Sequence, residues 1–219
     1  MSAAARGGPP RIGRGTSRRA VLAALAMAAL PFSARAQDAA VRQPIADFHA
    51  ALEKAMRDGP TTPFKARFDA LAPVVDRVFD LGAILSVSYG PRWAGADAGL
   101  KTQVAAAFRA YTVATYVANF DRADGEKFDM APGLRAVGDD QVVTTRIVPR
   151  TGDPTRPDYL MRKSDAGWRV VDILVDGTIS RVAVQRSDWR ALLGRDGDAA
   201  ALLANLRKKA ADLSGGALN

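Results

Sequence analysis

Between residues 141 and 175 three runs of β-branched and apolar residues alternate with short turn sequences, and this stretch restricts the fold more than any other. Residues 141–148 read Gln-Val-Val-Thr-Thr-Arg-Ile-Val, a composition suited to a pleated, half-buried surface. Thr151-Gly152-Asp153-Pro154 and Arg156-Pro157 break that run. Residues 158–163 form the next strand, Ser164-Asp165-Ala166-Gly167 the hairpin turn, and residues 168–175 its partner. Strands joined by turns this short pair antiparallel. Upstream, Phe128 and Met130 start an edge strand that residues 134–137 continue after Pro132-Gly133, and Gly138-Asp139-Asp140 turns it into the next. The expectation is a twisted antiparallel meander of about four strands. In residues 168–175 one register reads Val171, Ile173, Val175 and the other Trp168, Val170, Asp172, Leu174. Both are substantially apolar, so helices or a ligand are expected to cover each side.

Helical periodicity fills the flanks. Pro44 suits a first turn, followed by Ile45, Phe48, Leu52 and Met56 at i, i+3, i+4 spacing, with Asp58-Gly59-Pro60 as the stop. A second helix begins near Thr62-Pro63 with Phe64, Phe68 and Leu71 on one stripe, and Pro73 opens another through Val78-Phe79. Residues 81–88 are a short apolar piece ended by Tyr89-Gly90-Pro91. Residues 100–120 give the longest helix, with Val104, Phe108, Tyr111, Thr115 and Phe120 near one face. Residues 180–187 lead into a helix at Asp188-Trp189, and after Gly194-Arg195-Asp196-Gly197 a last helix runs over residues 198–213. Helices around one antiparallel sheet make the fold class α+β.

The net charge of +8 and a pI near 10.2 point toward nucleic acid or an anionic membrane only if the charge sits on the folded domain. It does not. Six of the 31 basic residues (Arg6, Arg11, Arg14, Arg18, Arg19, Arg35) and none of the 23 acidic ones lie in residues 1–36, which leaves +2 on residues 37–219. That segment has a basic start, an apolar run over residues 20–30 and Ala34-Arg35-Ala36, the order of a cleaved export signal. The run is too short for a bilayer that needs about 20 residues. Ser17-Arg18-Arg19 resembles a twin-arginine signal. Residues 37–219 are then one periplasmic domain with no clustered phosphate-binding charge and no expected role on nucleic acid.

Catalytic arrangements are thin. There is no cysteine and one histidine, so disulfides, thiolate metal sites, thiol nucleophiles and poly-histidine metal sites are excluded. His49 lies among Phe48, Leu52 and Met56 and reads as a structural or surface residue. No G-x-S-x-G elbow or phosphate-cradling glycine loop is present in residues 37–219. Asp172 and Asp176 have an even spacing, so a carboxylate pair for acid–base work stands beside a polar contact and a turn residue as readings. Phe108, Tyr111, Tyr116, Phe120, Tyr159 and Trp168 fit either a ligand cavity or a filled core.

Residues 167–189, Gly-Trp-Arg-Val-Val-Asp-Ile-Leu-Val-Asp-Gly-Thr-Ile-Ser-Arg-Val-Ala-Val-Gln-Arg-Ser-Asp-Trp, resemble a signature of the MlaC, or toluene-tolerance auxiliary, family. Phe79-Asp80-Leu81, Gly90-Pro91-Arg92-Trp93, Phe108 with Tyr111, residues 143–147 and residues 198–206 extend the resemblance over roughly residues 45–213. Thr178-Ile179-Ser180 and Val184-Gln185-Arg186 depart from the usual family residues and look more like the hopanoid-associated branch called HpnM. The resemblance implies a soluble, monomeric periplasmic carrier without cofactor or metal. It would enclose acyl chains between sheet and helices on a cone-shaped scaffold like that of nuclear transport factors. Its cargo would be phospholipid or hopanoid, and its partners an inner-membrane ABC/MCE transporter and an outer-membrane lipoprotein complex.

On that reading the cavity draws Val142, Thr144, Tyr159, Val171, Ile173 and Val175 from the sheet and Phe108 and Tyr111 from the long helix, with Trp93 and Ile179 at the mouth. The alternative sheet register offers Val143, Thr145 and Ile147. Two other functions compete: an enzyme using Asp172 or Asp176 as base, and an adaptor of an envelope complex that binds no lipid.

Overall fold

The structure, a computed structural model, describes residues 30–59, 61–193 and 199–218. Most of the expected leader, residues 1–29, and the turn at residues 194–197 lie outside them. Two units meet between Gln37 and Asp38. Of the first only the opening turns of a helix are described, and the account below concerns the second.

Helix α1 (Leu30–Asp58) starts well before Pro44, which lies inside it. Its buried stripe is Val41, Ile45, Phe48, Leu52, Ala55 and Met56. Helix α2 (Phe64–Val78) runs unbroken through Pro73, where two helices were expected. Pro73 sits on the exposed side and forfeits one backbone bond, while Phe68, Leu71, Ala72, Val75 and Val78 pack continuously across it. The apolar piece after it is helix α3 (Leu81–Tyr89), capped by the Asp80 carboxylate, which accepts from the Ala83 N–H at 2.8 Å. A 3₁₀ turn (Pro91–Trp93) leads to α4 (Ala98–Asn119), capped by Asp97.

Five strands follow in sequential antiparallel order: β1 (Lys127–Val137), β2 (Asp140–Val148), β3 (Pro157–Ser164), β4 (Gly167–Val175) and the two-residue β5 (Ile179–Ser180). Helix α5 (Arg181–Leu192) begins directly after β5, earlier than the expected start at Asp188, because the Ser180 hydroxyl accepts from the Ala183 N–H and caps it. Helix α6 (Ala200–Leu213) closes the chain.

Two bulges set which side chains share a face. In β1 the register shifts between Met130 and Leu134, where Pro132, unable to donate to a ladder, sits on an edge strand. In β4 Val171 is the extra residue, since Leu160 pairs Asp172 while Met161 pairs Val170. Trp168 and Val170 therefore join Ile173 and Val175 on one face, merging the two registers read from the sequence. That face, with Val143, Tyr159 and Met161, packs on α1, α2 and α4. The other face, expected to lie under helices or a ligand, carries ion pairs to buried carboxylates. Its buried Asp158 is held by Arg156 through two bonds of 3.1 and 2.8 Å, with Arg135 4.0 Å away, and Asp140 is held by Arg162.

The core is in two parts. One joins α1, α2, the end of α4 (Val113, Ala114, Val117) and the sheet. The other joins α3, the start of α4 (Val104, Ala107, Phe108), Trp189 of α5 and Leu202, Leu203 and Leu206 of α6.

His49 lies in the first part, 5% exposed, its ring 4.9 Å from Phe128 and 5.8 Å from Tyr159, with Nε2 unpartnered. Burial penalises its charged form and lowers its pKa from 6.5 to about 4. The unfolded chain thus holds a proton between those values that the fold does not. Stability is complete above pH ~6.5 and falls by up to about 3 kcal/mol as the pH drops toward 4. In urea titrations His49→Phe should flatten the loss between pH 6.5 and 5; an unchanged profile would refute this assignment.

Candidate functional site

A cleft of about 280 Å³ opens where the two parts of the core meet. Phe79, Leu81, Ile84, Phe108, Tyr111, Tyr116, Ile173, Val175 and Val182 give it apolar walls, with Thr112, Thr115, Asn119, Asp172, Arg181 and Gln185 among them. Leu81 and Ile84 pack against both core clusters, so α3 forms the hinge line of the seam. From α4, Phe108, Tyr111, Thr112, Thr115, Tyr116 and Asn119 recur every three or four residues and make one stripe. Tyr116 stands edge-on to Phe48 at 4.9 Å and tilted to Phe79 at 5.7 Å, closing the floor. Burial pushes its phenol pKa upward, and that of Tyr159 too, so both stay neutral.

Two surface hollows are larger but chemically different. One, about 760 Å³, is bounded by Asp124, Glu126, Arg150 and neighbouring loop residues. The other, about 550 Å³, is bounded by Tyr89, Arg92, Arg186, Arg190 and neighbours. The first is walled mainly by polar groups and the second sets three arginines beside Pro91, Ala191 and Leu193, whereas the seam cleft is walled mainly by aromatic and aliphatic side chains.

The sequence-expected residues separate into three groups. Phe108, Tyr111, Ile173 and Val175 line the cleft. Tyr159 is buried on the helix-facing side of the sheet, within the core. The rest lie elsewhere. Val142 and Thr144 are on the opposite face, where the Thr144 hydroxyl is 3.5 Å from Asp158, and Val143 takes the helix-facing position. Val171 is the bulge residue. Trp93 stacks on Tyr89 at 5.0 Å with the Lys101 ammonium above it, and Ile179 is 53% exposed in β5 opposite Val175. Arg181, Val182 and Gln185 also line the cleft, because α5 begins at Arg181 and not at Asp188, where the sequence places its start.

Asp172 is not presented as a base. Its carboxylate accepts from the Ser180 hydroxyl, from the Val182 N–H at 3.1 Å and from the Ile173 N–H at 2.7 Å. It thereby ties β4 to the first turn of α5. Asp176 lies beyond the strand in a left-handed turn (φ 52°), its N–H donating to the Arg156 carbonyl, and it does not line the cleft. No cluster of three or more His, Cys, Asp or Glu that could hold a metal occurs among the described residues, and no described helix is long and apolar enough to cross a membrane.

The family model described as MlaC protein matches residues 47–208, more than half the chain. A search of curated proteins finds no match. Among solved structures, the phospholipid-binding protein from Ralstonia solanacearum, determined in complex with a phospholipid, aligns with a TM-score of 0.67. It is 21% identical, over 81% of this chain and 98% of that one, a likeness that establishes a shared α+β fold.

If Asp172 is the tie between β4 and α5, Asp172→Ala leaves the Ser180 hydroxyl and Val182 N–H unsatisfied and costs about 1–3 kcal/mol in urea unfolding. Unchanged stability would contradict the structural role.

Proposed function

Because the chain belongs to the MlaC family, we propose that it is a periplasmic lipid carrier that takes acyl chains of a phospholipid into the cleft between α3, α4, β4 and α5 and moves them between membranes. The observation that carries this reading is the apolar seam itself: nine of its lining side chains are aromatic or aliphatic, and they converge from α3, α4, β4, α5 and the link at Phe79.

The energetics favour such a site. A free acyl chain in water costs about 0.8 kcal/mol per methylene, so two chains of a phospholipid cost on the order of 20 kcal/mol. A carrier lowers that barrier by supplying apolar walls while the polar head stays at the rim. Solvation of this kind needs no nucleophile, metal or acid–base pair, and the commitment of Asp172 to structure supports a binding protein over an enzyme. The twin-arginine-like residues 1–36 support export, with Gln37 as the first residue of the working protein. Its near-neutral charge favours release from anionic membranes, where each basic residue near the surface adds about 1 kcal/mol of attraction. The same reading extends to an inner-membrane ABC/MCE transporter and an outer-membrane lipoprotein complex as the stations between which the carrier moves.

Thr115 lies mid-stripe in the cleft. Thr115→Trp should reduce lipid co-purifying with the protein by at least about tenfold, read by extraction and mass spectrometry, with the melting temperature retained. A stable variant carrying the wild-type amount of lipid would refute the site.

A further inference from the structure

Resting on the carrier reading, we propose that Arg181 anchors the phosphate of the bound lipid, so that the cleft selects its cargo by a phosphate head as well as by apolar tails.

Among the described residues Arg181 is the one cation that lines the cleft. Elsewhere the guanidinium groups of Arg109, Arg156 and Arg162 each grip a carboxylate through two hydrogen bonds, to Asp76, Asp158 and Asp140. Arg181 makes no such pair among the described residues. The carboxylate nearest in the wall, Asp172, already accepts from Ser180 and two backbone N–H groups. Most of the remaining polar wall is committed too. Thr112 and Thr115 donate back to the α4 carbonyls of Phe108 and Tyr111, and Gln185 donates to Ser88.

Arg181 opens α5, whose Val182 N–H already meets the Asp172 carboxylate and whose dipole adds to the pull on a further anion. The side chain is exposed while lining the cleft, and a planar guanidinium fork matches two phosphate oxygens. Its charge is also felt at the cleft floor, where it partly offsets the upward push of burial on the Tyr116 phenol.

The test presents the full chain with vesicles of phosphatidylcholine that contain equal amounts of phosphatidylglycerol and of diacylglycerol with the same acyl chains, and quantifies bound lipid by mass spectrometry. Wild-type protein should bind the phosphate-bearing lipids over diacylglycerol by about tenfold or more. Arg181→Gln should lower that preference by about tenfold with diacylglycerol binding unchanged, and Arg181→Lys should restore part of it. Excess inorganic phosphate should displace no lipid, because the tails supply most of the affinity; displacement would mean a site for free phosphate and would overturn the proposal. Equal preference in wild type and Arg181→Gln would overturn it while leaving the carrier reading intact. Failure of the wild type to bind any of these lipids would remove the carrier reading and this inference together.

Discussion

One helix has to serve two cores. Helix α4, 22 residues and about 33 Å long, buries Val104, Ala107 and Phe108 against α3, α5 and α6, then Val113, Ala114 and Val117 against α1, α2 and the sheet. Between those burials its Tyr111, Thr112 and Thr115 meet neither core fully, and the cleft opens there. The helix is held in register by Arg109, which grips Asp76 of α2 at 2.7 and 2.6 Å, and by the buried Arg67, which donates to the Val117 carbonyl at 3.2 Å. Filling the seam by sliding α4 toward either side would unpack one core to complete the other. The cleft is thus a consequence of close packing on both sides, where even one lost methylene is felt.

The β4–α5 corner fixes the opposite wall. Val171 bulges out of register, which turns Trp168, Val170, Ile173 and Val175 toward the helices together. Asp172 then meets Ser180 and the Val182 N–H, so a strand, a two-residue strand and a helix are joined by one carboxylate. A residue that the sequence offers as either a base or a polar contact is spent on architecture. The same joint places Arg181 in the cleft wall beside the apolar side chains that would receive the tails.

The meander was legible because alternation and glycine turns are local signals: the strands at 141–148, 158–163 and 168–175 fall within a residue of those in the structure. Helix ends were less so. Pro73 reads as a start but lies mid-helix, since packing by Phe68, Leu71, Val75 and Val78 outweighs one missing backbone bond. Residues 180–187 carry a weak apolar pattern, and the cap that starts α5 at Arg181 depends on Ser180 meeting Asp172 across a turn. The site followed the same division. Phe108 and Tyr111 share a helical stripe readable from spacing. A bulge has no such signature, so simple alternation along β4 put Val171 on the face of Ile173 and Val175. The register between β2 and β3, which pairs Tyr159 with Val143 and not Val142, is set by contacts that no single strand's pattern records.

On the carrier reading, hydrocarbon is held at the junction of two packed cores. A phospholipid carrying a photoactivatable diazirine at the end of one acyl chain tests this directly, with adducts mapped by peptide mass spectrometry. Adducts concentrated on residues 108–119 and 172–182 are the predicted result. Adducts scattered over the charged face of the sheet, or confined to the arginine-lined hollow around Arg92 and Arg190, would contradict it.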